Sequence, residues 1–268
     1  MTPEPPKPFT AVILAADRTS QDPVARAAGV PCKALAPVGG RPMMFRVLDA
    51  LKASRQVNHC ILSGPPAEIV ECEPLIRQRL EVDGVDWIAP RATPSTSALV
   101  ALQSIAEETP VLLTTADHAL LTPEMIDHFC LEARAIGSDV VAALTSHERI
   151  MARYPGMRRT RTRFTDGAFC GCNLFAFLTP ESRAAADLWR RVENERKHPL
   201  KMLGQLGWGV VVRYLLRRLP LKDALRHISD RMGMRAAVVI LPFPEAAVDV
   251  DSVGDWHFAQ AIASQGER

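Results

Sequence analysis

Lys33 stands between the apolar run Phe9–Ala16 and a Gly39-Gly40-Arg41-Pro42 turn, and Leu14-Ala15-Ala16-Asp17-Arg18 closes the run. A loop leaving a buried strand offers backbone N–H groups to phosphate oxygens, and a lysine and an arginine beside it neutralise a triphosphate. Carboxylates occur at two further places: Asp117, just beyond Val111–Thr115, and Asp249-Val250-Asp251 near the end of the sequence. Taken singly, such an aspartate is as often a turn former or helix cap, and a lone lysine is more often a solvated surface group. Six arginines fall between Arg149 and Arg163, and cations recur at Arg196, Lys197 and Lys201. Arginine forks match phosphate geometry, and the alternative for these runs is a solvated charged face. If Arg158–Arg163 alternates along a strand, Thr160 and Thr162 lie opposite the arginines.

Apolar patterning supplies the elements that must position these residues. The continuous run Phe9–Ala16 predicts a strand buried on both faces. A polar loop is expected from Asp17 to Pro31, then a helix from Pro42 to Ser54 with Met43, Phe45, Val47, Leu48 and Leu51 on its apolar side. Further strands are predicted at His59–Gly64, Val85–Ala89, Val111–Thr115 and Asp139–Leu144. Helices are predicted at Glu73–Leu80, at Ser95–Glu108 and from Thr122-Pro123-Glu124 onward. Strands alternating with helices at this spacing imply an α/β fold, a mostly parallel sheet with helices on both faces. Ligands of such sheets bind beyond the carboxyl ends of the strands, which marks Ala16, Ser63 and Thr115 onward. The second half is less regular. Strands are expected at Thr160–Thr165 and Asn173–Leu178 around turns at Gly167 and Gly171, then a helical elaboration over 180–232 and a strand at Ala236–Leu241.

In this order, the three segments resemble the MobA-like nucleotidyltransferases, whose pattern is roughly LAAGxGxR, a gap, a lysine, and GxP before an apolar helix. Lys33 and Gly39–Pro42 fit that spacing. Asp117 matches an aspartate that ends a later strand, with Ala119 where a proline commonly follows. Val248–Asp255 resembles a DVDTPEDL-type segment. The resemblance runs from Ala11 to about Asp255 and departs in the first loop, where Asp17, Arg18 and Thr19 replace the glycines and none follows until Gly29. It implies a Rossmann-like domain of the nucleotide-diphosphosugar transferase type, spanning 9–262 after a disordered lead-in of residues 1–8. Residues 9–145 would form the nucleotide-binding half and 146–262 the acceptor-binding half.

The implied reaction joins an NTP to a small phosphorylated acceptor and releases pyrophosphate. Lys33 and Arg18 would be catalytic, and Leu14, Ala15, Ala16, Asp17, Ser63, Gly64, Ser97 and Ala116 would bind the nucleotide. Asp117 and Asp251, with Asp249 as second choice, would hold Mg²⁺ or Mn²⁺. Asn173 of Gly171-Cys172-Asn173, with Arg161, Arg163, Arg196 and Lys197, would bind the acceptor. Ser97 also reads as part of a helix cap. CTP and GTP rank first among the nucleotides, and the acceptor is a sugar, cobinamide, polyol or lipid-precursor phosphate. The rival readings are a regulatory protein that binds nucleotide without catalysis, and a glycosyltransferase using Asp249-Val250-Asp251 as its DxD motif.

Composition narrows the classes. Hydrophobic residues at 47% against 23% charged argue for a packed core rather than disorder. A net charge of +2 and basic runs without interleaved aromatics argue against nucleic acid as a partner. The six cysteines include no CxxC pair and read as reduced, largely buried thiols, which points to the cytoplasm. No run reaches the roughly 18 apolar residues of a membrane span. The apolar stretch Leu203–Leu221 is read as a helix over the core rather than a membrane contact, because three glycines and a proline interrupt it.

Overall fold

The structure is a computed structural model that describes residues 7–17, 19, 21–194 and 208–266. Its centre is β1 (Phe9–Leu14), buried on both faces as the continuous apolar run requires. β4 (Val57–Ser63) and β6 (Val111–Thr115) flank it in parallel, with Leu14 level with both Ser63 and Thr115. β5 (Asp86–Ile88) extends the sheet beyond β4. On the other side, β9 (Gly167–Phe177) pairs antiparallel with β6 and with β7 (Val140–Ser146), and β10 (Ala236–Leu241) closes that edge parallel to β7. The order is β10-β7-β9-β6-β1-β4-β5, and β8 (Thr162–Phe164) pairs with β9. The sheet is therefore mostly parallel, with one reversed strand inside it.

Helices cover both faces. α2 (Met43–Ala53) and α6 (Pro123–Ile136) pack Leu48, Leu51, Ile126 and Phe129 against one face, where they meet Cys172, Leu174 and Ala176 of β9. On the opposite face α5 (Pro94–Gln103) and α8 (Arg183–Asn194) bring Ala98, Leu102 and Ala186 to Val12, Leu113 and Phe177. Each large side chain fully buried in this way contributes roughly 1.5–3 kcal/mol. α3 (Ala67–Cys72), α4 (Pro74–Asp83), α7 (His147–Arg153), α9 (Trp208–Leu215), α10 (Leu221–Met232) and α11 (Val253–Gly266) complete the described helices.

Two expectations are corrected. The stretch expected as a polar loop contains α1 (Pro23–Ala28), capped by the Asp22 carboxylate, which accepts from the Val24 and Ala25 amides, and stopped by Gly29 in the left-handed region. Its start and stop chemistry is ordinary; its six residues are too short to show apolar periodicity. No turn separates two strands at Gly171: β9 runs unbroken from Gly167 to Phe177. In the 203–221 stretch, α9 buries Val211 while Val212 and Leu215 stay exposed, and residues 203–207 lie outside the described set. Among the described residues no helix is long and apolar enough to cross a membrane. All six cysteines are free, and five are buried.

A second, smaller core holds the loops at the carboxyl ends of the strands. Val24 of α1, Val38, Met43, Ala119, Leu120, Val250 and Trp256 pack together. Val38 belongs to a hairpin of β2 (Pro37–Val38) and β3 (Arg41–Pro42), whose turn residues Gly39 and Gly40 have φ of 57° and 72°. A two-residue turn of this type needs positive φ at both positions, which glycine adopts freely. The buried Trp256 indole donates from Nε1 to the Pro37 carbonyl at 2.7 Å, tying α11 to the hairpin. Trp256→Phe is expected to lower stability by about 1–3 kcal/mol by leaving that carbonyl unpaired, with an unchanged far-UV spectrum. The midpoint and slope of urea unfolding measure this.

Candidate active site

The carboxyl ends of β4, β1 and β6 are stitched by backbone bonds. The Ala15 amide donates to Ser63 O at 2.8 Å, the Ala116 amide to Leu14 O at 2.9 Å, and the Gly64 amide to Ile88 O at 3.0 Å. Gly64 has a φ of 90°, and a Cβ there would lie 2.9 Å from the Ala16 nitrogen, so only glycine lets this turn close behind the first loop. Gly64 thus backs the Ala15–Ala16 segment and is not itself among the residues lining the cleft.

The first loop is held by Asp17. Both of its carboxylate oxygens accept from the Lys33 amide, at 3.2 and 3.0 Å, and burial pushes its carboxyl above the ordinary range. That contact carries Lys33 into the site, where Nζ lies 2.6 Å from Asp117 Oδ2 and 3.8 Å from Asp251 Oδ1. The Val250 amide donates to the Asp117 carbonyl at 3.1 Å, so the strand end and the C-terminal segment are joined directly. Burial alone would lower the Lys33 pKa, but the charges of Asp117 and Asp251 outweigh it and hold the ammonium above its ordinary value. Asp117 is the mirror case: burial would raise it, and Lys33 holds it below the ordinary carboxylate range. His118, wholly buried, is pushed down to about 4 by that burial and is neutral at pH 7.

Asn173 reaches the same place by a different route. The register between β7 and β9 shifts between Ala142 and Leu144, opposite a stretch of β9 that contains Asn173 at a φ of 47°. A bulge re-aims a side chain, and asparagine tolerates the left-handed region better than most residues. Asn173 Nδ2 donates to Asp249 Oδ2 at 2.9 Å. Arg159 also pairs with Asp249, donates to its carbonyl at 3.3 Å and to the Ala247 carbonyl, and lies 3.9 Å from Asp255. The Asp249 carboxylate is therefore engaged on both sides, whereas the Asp251 side chain is 57% exposed.

These residues border a cleft of about 790 Å³. Leu14, Ala15, Ala16, Asp17, Lys33 and Ser63 line it, with Ser97, Ala116, Asp117, Asn173, Asp249 and Asp251. Every position expected to bind nucleotide, except Gly64, is on that wall. Arg18, Arg196 and Lys197 lie outside the described residues. Arg161 and Arg163 are not part of the wall; Arg161 Nη1 is 2.6 Å from His147 Nε2 on α7. The irregular chain before β8 does not continue the strand backward; Thr160, Thr162 and Phe164 border a cavity beside β9, with both threonines exposed. Three participants escaped sequence reasoning. Arg159 looks like any other arginine of its run, Thr114 is hidden in an apolar strand although its buried Oγ1 has no hydrogen-bond partner, and Trp189 of α8 lines the far wall. A threonine pair inside an otherwise apolar strand is the one local signal for the second.

The carboxylates at the cleft offer hard oxygen donors of the kind a divalent cation takes. Asp117 Oδ1 is buried with no hydrogen-bond partner, and Asp251 offers an exposed carboxylate on the other side of Lys33. No group of three or more His, Cys, Asp or Glu residues able to hold a metal is found among the described residues. Mg²⁺ is commonly held by one or two carboxylates together with substrate phosphates, so two hard oxygen donors fit a cation shared with a phosphate substrate. Lys33→Met should cost about 1–3 kcal/mol by leaving the Asp117 carboxylate without its counter-charge. Asp117→Asn in the same chain should restore most of that loss. Denaturation of both single variants and the double variant measures the coupling, and additive losses would show that the pair does not interact.

The chain is similar to several solved structures. A hypothetical transferase structure from Thermus thermophilus is 29% identical, with a TM-score of 0.76, covering 93% of this chain and 99% of that one. The 4-diphosphocytidyl-2C-methyl-D-erythritol synthase from Anaerococcus prevotii shares the fold at 15% identity and a TM-score of 0.57, with 96% of each chain covered. A CMP:2-keto-3-deoxy-manno-octonic acid synthetase solved with CTP does so at 13% identity and 0.57, covering 96% of this chain and 99% of that one. A search of curated proteins found no match. The sequence matches the MobA-like NTP transferase domain over residues 11–237, and with the cleft at the carboxyl ends of a mostly parallel sheet, the chain belongs to that family.

Proposed function

We propose that this protein is a nucleotidyltransferase that joins an NTP to a small phosphorylated acceptor and releases pyrophosphate, using Mg²⁺ or Mn²⁺. The observation that carries the reading is Lys33 between Asp117 and Asp251 at the edge of a large cleft, with one buried oxygen of Asp117 left unpaired. CTP and GTP remain the favoured nucleotides, and two structural neighbours have names that contain a cytidyl group or CMP.

Asp117 and Asp251 would hold the cation, which when bound supplies positive charge to offset that of the phosphates. The rest falls to the chain itself. Leu14–Asp17 and Ala116 border the space for the nucleotide, and Ser63 and Ser97 lie on the same wall. An oxygen of the acceptor phosphate attacks the α-phosphorus. A new P–O bond forms there while the bond from the α-phosphorus to its bridging oxygen breaks, and pyrophosphate leaves with the electron pair. The second pKa of a phosphate monoester is about 6, so the attacking oxygen is already ionised at neutral pH and no general base is needed. Lys33 offsets charge that accumulates on the phosphates, and its fixed ammonium needs no reorganisation to do so.

A pyrophosphate-release screen of the four NTPs with Mg²⁺, against a panel of phosphorylated acceptors, tests the reading. Asp117→Ala is expected to lower kcat by about 10²–10³ or more while the circular dichroism spectrum is retained. Nucleotide binding without pyrophosphate from any acceptor would instead indicate a regulatory protein. Tight binding of a sugar nucleotide with no turnover of NTP would indicate a glycosyltransferase.

A further inference from the structure

A second cavity, of about 420 Å³, lies on the other side of Asn173, Asp249 and Asp251, and these three residues line both cavities. Its remaining walls come from residues outside the first: Leu144 of β7, Val238 of β10, Leu225 of α10 and Phe169 of β9, with Thr160 and Thr162 beside them. The volume lies within the roughly 300–1,000 Å³ typical of small-molecule sites. We infer that this cavity is the acceptor subsite and that it selects an acceptor with a single phosphate on an uncharged, partly apolar body. The inference rests on the nucleotidyltransferase reading and deepens it.

Charge decides the class. Arg159 is the one cation among the described residues lining this cavity, and its side chain is only 11% exposed because Asp249, Asp255 and two carbonyls engage it. Arg161, in the same run, is turned to His147. A second phosphate on the acceptor body would meet leucine, valine and phenylalanine, or the carboxylates at the junction. Burying an anion without a partner is strongly unfavourable. A hydroxyl-bearing or alkyl body meets no such cost: the threonine hydroxyls offer hydrogen bonds on one side, and the aliphatic wall accepts methylene groups on the other. The phosphate end then lies at the junction shared with the nucleotide cleft, where the new bond forms between an acceptor oxygen and the α-phosphorus.

The test uses the full-length protein, with the NTP that binds most tightly in calorimetry. Pyrophosphate release is measured with glycerol phosphate, a pentitol phosphate and butyl phosphate against a hexose bisphosphate and an inositol bisphosphate. Turnover is expected with the monophosphates only. Leu225→Arg, at a half-buried position, should raise the acceptor KM at least about tenfold and leave the NTP Kd within about twofold. Turnover of the bisphosphates as good as that of the monophosphates overturns the inference, as does an unchanged acceptor KM in Leu225→Arg. Normal NTP binding with no turnover of any monophosphate overturns it too. Failure of every NTP to bind would overturn the nucleotidyltransferase reading itself, and calorimetry separates that outcome from the others.

Discussion

The ammonium of Lys33 is the group on which the site depends. Two carboxylates from distant parts of the chain, Asp117 and Asp251, lie 2.6 and 3.8 Å from it, and the cation between them offsets their like charges. Lys33 is itself placed by its backbone, because the Asp17 carboxylate accepts from its amide. One residue thus links the first loop, the end of β6 and the C-terminal segment. The hydrogen bond from Val250 to the Asp117 carbonyl makes the last of these links independent of side chains.

The small core beneath these loops explains why they hold their positions. Val24, Val38, Met43, Ala119, Val250 and Trp256 come from four separate stretches of chain, and three of these adjoin a residue lining the cleft, Asp22, Asp117 or Asp251. A sheet end would otherwise leave such loops to solvent, where few apolar contacts oppose local opening. The reversed strand β9 adds the other half. Its bulge turns Asn173 toward Asp249, and Asp249 is in turn fixed by Arg159, so the boundary between the two cavities is built from paired groups. Fixed dipoles and charges at such a boundary favour positioning over covalent participation, which suits phosphoryl-group chemistry.

Much of the fold was legible because buried parallel strands leave an unmistakable trace. Phe9–Leu14, Cys60–Leu62 and Val111–Leu113 are apolar or nearly so, and the three strands end at Leu14, Ser63 and Thr115, which line the cleft. The gap between Lys33 and the Gly39-Gly40 turn was equally readable, since positive φ at two successive residues narrows the choice to glycine. What escaped was short or relational. α1 has too few residues for periodicity, and β9 contains glycines that resemble turns. Which arginine of the run turns inward was not legible, because spacing cannot separate identical side chains. Arg159 does so because Asp249 and two open carbonyls await it there.

The sequence by itself determined the α/β class and the strand ends where a ligand would sit, because burial and backbone conformation are local constraints written in residue type; the segments around Lys33, Asp117 and Asp251 stood out through their resemblance to a family pattern. Only the tertiary structure decided that Lys33 lies between the two aspartates, that Asp249 is engaged while Asp251 is open, and that Arg159, Thr160 and Thr162 line the second cavity while Arg161 and Arg163 do not. Those outcomes depend on which groups from distant segments come within a few ångströms, and electrostatic and hydrogen-bond energies are set by that distance.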